Sequence, residues 1–194
     1  MRLPEVTTWS PRQQEISDRI TARRGGTRGP FLVWLRSPEL CEKVEALGAF
    51  CRFESALDPR LRELSLLIAA RCFDAQYSWN AHVNKAADLG VSRESLDALA
   101  AGCEPGFARH DEEVVYRFAT QILRDHFVTD DAFAAALDEL GEQGVVDLIG
   151  SLGNFSMLAM LLNACQVDLQ DVPPPFPDVR GYAKAGADQV TSEV

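Results

Sequence analysis

Glu63 and His82 are the two residues of this sequence whose types and spacing point most directly to chemistry. Glu63 lies in a run where Leu61, Leu64 and Ile68 form one apolar stripe, while Leu66, Leu67 and Ala70 fall around the direction of the carboxylate at helical spacing. Burial among such neighbours disfavours the charged form. It raises the pKa toward the range useful for proton transfer, unless a cation such as Arg60 or Arg71 opposes the shift. His82 sits among Ala75, Ser78, Trp79, Ala86 and Leu89 on one face of the next run, where Ser78 and Lys85 add the only polarity. Two such groups meeting in an apolar seam form either a satisfied structural pair or an acid–base couple. Spacing alone leaves both readings open.

A tight helix hairpin is what has to bring them together. Asp58-Pro59 opens a helix from Arg60 to Phe73, and another follows from Ala75 to Leu89, ahead of Gly90. At 1.5 Å per residue, Glu63 lies about 15 Å back from the turn and His82 about 13 Å beyond it, so antiparallel packing sets them level. The rest of the chain repeats helix signals. Ser10-Pro11 starts a helix that Gly25-Gly26 stops, and Ser37-Pro38 starts one expected to run through Phe53, after the apolar stub Phe31 to Leu35. Helices are further expected from Ser92 to Ala101, Asp111 to Phe127, Thr129 to Leu140 and Gln143 to Ala164. Alternating runs of β-branched residues are absent, so the class is all-α. From Val167 onward the composition turns to prolines, then to small and acidic residues, and an extended tail, loose or packed on a neighbouring subunit, is expected there.

Composition narrows the partners. With 29 acidic against 19 basic residues the net charge is -10, which disfavours nucleic acid; Arg23-Arg24 with Arg28 is the one basic cluster. Pro4, Glu5 and Trp9 stand where a signal peptide would need an apolar run, so a cytoplasmic location is expected. The apolar stretch Leu148 to Leu162 is interrupted by Gly150, Gly153 and Asn154, and reads as a buried core helix with no membrane role. Five cysteines, none in a Cys-x-x-Cys pair, read as free buried thiols, and no zinc site is expected. His110 and His126 lie beside charged residues and are expected in solvent.

The segment Leu57 to Glu63, then Ala75-Gln-Tyr-Ser-Trp-Asn-Ala-His82, with Lys85-Ala-Ala and Leu89-Gly90, resembles the core motif of carboxymuconolactone decarboxylases and their alkylhydroperoxidase D relatives. The resemblance extends from Gly29-Pro30 through the Gly141-Glu-Gln-Gly144 to Leu162 helix. It implies an alkylhydroperoxidase D-like helical bundle around a central antiparallel hairpin, in a homotrimer or homohexamer. The implied division is an N-terminal helical extension (1–28), the helical domain (29–167) and a Pro-rich tail (168–194). The redox branch of that superfamily carries a Cys-x-x-Cys whose positions are Ala75 and Ser78 here, and its additional His position is Tyr77. A thiol peroxidase needs a thiolate and a resolving thiol. What remains resembles the thiol-free, decarboxylase branch.

That resemblance implies a carboxy-lyase acting without metal or cofactor on a small carboxylated lactone or enolisable acid. His82 would donate a proton to carbon, and Glu63 would fix or recharge it. Tyr77 and Ser78 are expected to hydrogen-bond a developing enolate oxygen, with Trp79, Arg71 and Asn154 completing a substrate-binding set. Arg36, Arg52 and Arg60 are further candidates for holding a substrate carboxylate. A peroxidase-like antioxidant protein and a non-catalytic oligomeric scaffold are the alternatives.

Overall fold

The computed structural model describes residues 1–169 and 174–176, which contain eight α-helices and no strand. The first and fourth helices begin where a side chain accepts from their free N–H groups. At α1 (Pro11–Arg24) the Ser10 hydroxyl accepts from Gln13 N, the Gln13 side chain accepts from Ser10 N, and Gly25 (φ 77°) ends the helix in the left-handed region. The stub forms α2 (Pro30–Trp34), followed by α3 (Pro38–Ala49). The Asp58 carboxylate caps α4 (Pro59–Cys72) by accepting from Arg60 N at 2.9 Å.

α4 is the centre of the molecule. Nine of its residues are buried, Leu61 and Leu64 to Ala70 among them, and α5 (Gln76–Asp88), α7 (His110–Thr120) and α8 (Asp130–Cys165) pack around it. The short α6 (Arg93–Ala100) closes one side through Leu96 and Leu99. A second core of Ile16, Ile20, Trp34, Leu35, Cys41 and Val44 joins α1 to α2 and α3.

Two expected elements differ. The helix expected through Phe53 narrows to α3 and then widens into a π-helical turn, Phe50–Glu54, closed by Ser55 N donating to Phe50 O at 2.9 Å. A wider turn shifts every later side chain around the axis, which a 3.6-residue periodicity does not register. α7 likewise ends in a π-helical turn, Gln121–Asp125, before His126 (φ 61°). The two helices expected on either side of Gly141 are both present within α8, where the non-helical Gly141 (φ 69°, ψ 173°) separates them by a kink.

At 36 residues, with a most apolar window of mean hydropathy 1.7, α8 is long and apolar enough to cross a membrane by length and composition, beyond the shorter stretch read from sequence. Yet 56% of that window is buried inside the fold, where Leu148, Leu152, Phe155, Ala159 and Leu162 pack, as a core helix requires. Most of the expected tail lies outside the described residues. Within it, Phe176 is buried on this chain's own hairpin, its ring 5.2 Å from that of Trp79 and 4.9 Å beneath the Arg71 guanidinium.

Candidate functional site

The hairpin turn is what aligns the pair. Asp74 adopts φ 51°, a left-handed conformation that Asp tolerates better than most residues, and Ala75 N donates back to Ala70 O at 2.7 Å. The chain reverses at once, and α5 returns along α4. His82 Nδ1 then meets Glu63 Oε2 at 2.6 Å, with the two side chains 11% and 14% exposed. Bound on that side to a carboxylate, Nδ1 carries the proton, and Nε2 is left as the ring nitrogen free to exchange one.

Burial and two neighbouring cations set the charge states. Burial lowers the His82 pKa; Glu63 pulls it back up, Arg52 and Lys85 push it down again, and the net direction is below the ordinary 6.5. For Glu63, burial pushes the carboxyl up, but the hydrogen bond and charge of His82, with Arg52 and Lys85, outweigh it and leave the pKa below the usual carboxylate range. The upward shift expected from the apolar surroundings is therefore reversed. The opposing cations are Arg52 and Lys85, because Arg60 is bound to Asp111 and Glu112 at 2.5 and 2.6 Å and Arg71 is paired with Asp74. At neutral pH the resting pair is a carboxylate and a neutral imidazole.

His82 opens onto a cavity of about 430 Å³, walled also by Tyr77, Ser78 and Asn154. Glu63 does not line it; the carboxylate stands behind the imidazole. Trp79 and Arg71, expected among the binding residues, point elsewhere: Trp79 is buried against Phe176, and Arg71 donates to Asp74 and to Ala100 O. Sequence reasoning did not place Arg24, Arg28, Phe31 or Lys85 in the wall, yet all four line it, as does Arg52. The basic cluster at 23–28 was the one available signal. Tyr77 is fitted closely: a Cβ at Gly29 (φ 58°) would stand 2.1 Å from its hydroxyl, so only glycine suits that position. Burial raises the Tyr77 pKa, keeping the phenol protonated and able to donate.

The thiol positions are empty of sulfur. Ala75 and Ser78 are both buried, and the nearest thiol in sequence, Cys72, is pushed up by burial, away from the thiolate that peroxide chemistry needs. His110 and His126 are exposed. Among the described residues, His, Cys, Asp and Glu nowhere gather in a group of three that could hold a metal ion.

Comparison with known proteins agrees with this architecture. Residues 38–121, which include both members of the pair, match the model of the carboxymuconolactone decarboxylase family. Three solved structures are similar in fold. An uncharacterised peroxidase-related protein from Silicibacter sp. TM1040 aligns with TM-score 0.69 at 15% identity, over 87% of this chain and 90% of its own. The debrominase Bmp8, solved as a cysteine-to-alanine variant with 2,3,4-tribromopyrrole, gives TM-score 0.65 at 14% identity over 85% and 88%. A protein of unknown function from Agrobacterium tumefaciens, named as a candidate antioxidant defence protein AhpD, gives TM-score 0.63 at 16% identity over 73% and 97%. No curated protein matches by sequence.

Proposed function

Starting from a chain that belongs to the carboxymuconolactone decarboxylase-like and alkylhydroperoxidase D-like superfamily, we propose a cofactor-independent acid–base enzyme, a decarboxylase acting on a small carboxylated lactone or enolisable acid. The observation that carries this reading is the 2.6 Å Glu63–His82 contact on the wall of a cationic cavity. Burial, and after it the charges of Arg52 and Lys85, depress the His82 pKa, so an incoming carboxylate, by offsetting those charges, favours the imidazolium. His82 takes up a proton from solvent at Nε2 while Glu63 balances the charge through Nδ1–H.

Loss of CO₂ breaks the bond between the carboxylate carbon and the substrate skeleton, and its electron pair passes into the conjugated carbonyl as a dienolate. Tyr77 donates a hydrogen bond to that oxygen. The imidazolium then returns its Nε2 proton to carbon, and the net change is one carboxylate and one proton converted to CO₂ and a C–H bond. A panel of lactones and β-keto acids followed by CO₂ release tests the reaction. Turnover by the native protein, reduced on the order of 10²-fold or more in His82→Ala with the fold intact, is the expected result; equal turnover by the variant contradicts it.

The names of two similar structures favour a second reading, thiol-dependent peroxide reduction. It requires peroxide consumption that alkylation abolishes. Ala75 and Ser78 supply no thiol for it.

A further inference from the structure

The cavity holds more positive charge than its proton-transfer pair uses. Arg24, Arg28, Arg52 and Lys85 all line it, in a chain of net charge -10. Part of this is matched, since Arg24 Nε approaches Glu45 at 3.4 Å, but Glu45 is shared with Arg23 at the same distance. Among the described residues neither Arg52 nor Lys85 forms a salt bridge.

Two of these cations converge. The guanidinium carbons of Arg24 and Arg52 lie 5.7 and 5.1 Å from the centre of the same Phe53 ring. Burial, and then the charge of Arg52, hold Arg24 below the usual guanidinium range. Like charges gathered in a partly buried wall are costly unless an anion lies between them. Nearby donors also lack acceptors: Arg52 Nε and Trp34 Nε1 are buried without a hydrogen-bond partner, and neither can itself accept. Space is present beside them. A Cβ at Gly48, within α3, would stand 3.8 Å from Arg24 Nη2 and 3.8 and 3.9 Å from Asn154 Oδ1 and Nδ2, so the missing side chain leaves a notch rimmed by a guanidinium and an amide.

We propose that this notch is a carboxylate subsite, in which Arg24 and Arg52 pair with the anion, Asn154 Nδ2 donates to it, and Phe31, Trp34 and Phe155 flank a flat, unsaturated or aromatic body that reaches on to His82. Arg24 lies in α1, outside the residues that match the family model, so the N-terminal helix is a working wall of the cavity and helps decide which acid enters. A cavity of about 430 Å³ suits a small single-ring acid, small ligand pockets spanning about 300 to 1,000 Å³. The inference rests on the acid–base reading only for what happens at the His82 end.

Calorimetric titration with sodium benzoate, and with benzamide as its uncharged counterpart, separates the two. Benzoate is expected to bind the native protein about tenfold or more tightly than benzamide, and Arg52→Gln should lower benzoate affinity by about tenfold or more. Gly48→Leu fills the notch while removing no charge and suits a helix, so it should weaken benzoate binding similarly even where the arginine variant fails to fold. Benzoate bound no better than benzamide, or bound equally by Gly48→Leu, overturns the subsite. Turnover retained in His82→Ala, by contrast, defeats the acid–base reading and leaves the subsite standing.

Discussion

One turn apart on α4, two buried charged groups have opposite surroundings. Arg60 reaches Asp111 and Glu112 at 2.5 and 2.6 Å, and the side chains of Arg60 and Glu112 are 7% and 3% exposed. Its charge is more than matched, and it is not among the walls of the cavity that His82 lines. Glu63, three residues on, meets a single imidazole whose other face opens onto a cavity crowded with cations, of which Arg24 only shares Glu45 with Arg23 and neither Arg52 nor Lys85 has a salt bridge among the described residues. A balanced buried cluster ties α4 to α7. An unbalanced one beside open space asks for a ligand to complete it, and the same helix does both, with Arg60 reaching α7 and Glu63 reaching α5.

Breaking each cluster should therefore give different losses. The largest effect on function is expected from His82→Ala, about 10² to 10⁴-fold in turnover with an unchanged circular dichroism spectrum. Arg60→Met should instead destabilise, by roughly 3–5 kcal/mol in urea unfolding, because Asp111 and the buried Glu112 lose their counter-charge. Where that variant still folds, its turnover should stay close to native.

Smaller changes sharpen the contrast. Lys85 lowers the His82 pKa, so Lys85→Met should move upward in pH, from a native position below 6.5, the limb of kcat/KM on which activity falls as His82 loses its proton, and a limb that stays put or falls counts against the assignment. The stability of the pair follows the same sign. His82 is held below its ordinary 6.5 and Glu63 below its ordinary 4.5, so in both the unfolded chain binds more protons than the fold, and stability is fully present above those values. It should decline as pH falls below 6.5 and again below 4.5. His82→Asn, which cannot titrate, should remove the first decline and weaken the second, because the hydrogen bond and charge of His82 are the main influences that hold Glu63 down.

Much of this was legible in the residues, for physical reasons that also mark what was not. Ser10-Pro11 and Asp58-Pro59 carry local capping chemistry, so the starts of α1 and α4 stand where the sequence puts them. The Glu63–His82 contact follows from helical rise and a tight turn, both local quantities. Arg24 and Arg28 reach the cavity only because α1 folds over α3, a long-range event that no local pattern announces. Arg52 stood among the expected carboxylate partners, but the π-helical turn at Phe50–Glu54 resets which face each residue occupies, so periodicity could not single it out. Arg71 and Trp79 were drawn into the expected site by nearness in sequence, yet their faces turn to Asp74 and Phe176.

The central claim is a neutral His82 whose Nδ1–H is held by Glu63 and whose Nε2 is free for proton transfer. Long-range proton–nitrogen NMR of the imidazoles through a pH titration reads this directly, with His82→Ala identifying the signal. The account predicts an Nδ1–H tautomer at neutral pH with an apparent pKa below 6.5, rising when a carboxylate such as benzoate is added. An Nε2–H tautomer, or a ring that titrates at or above 6.5 without any ligand, would contradict it.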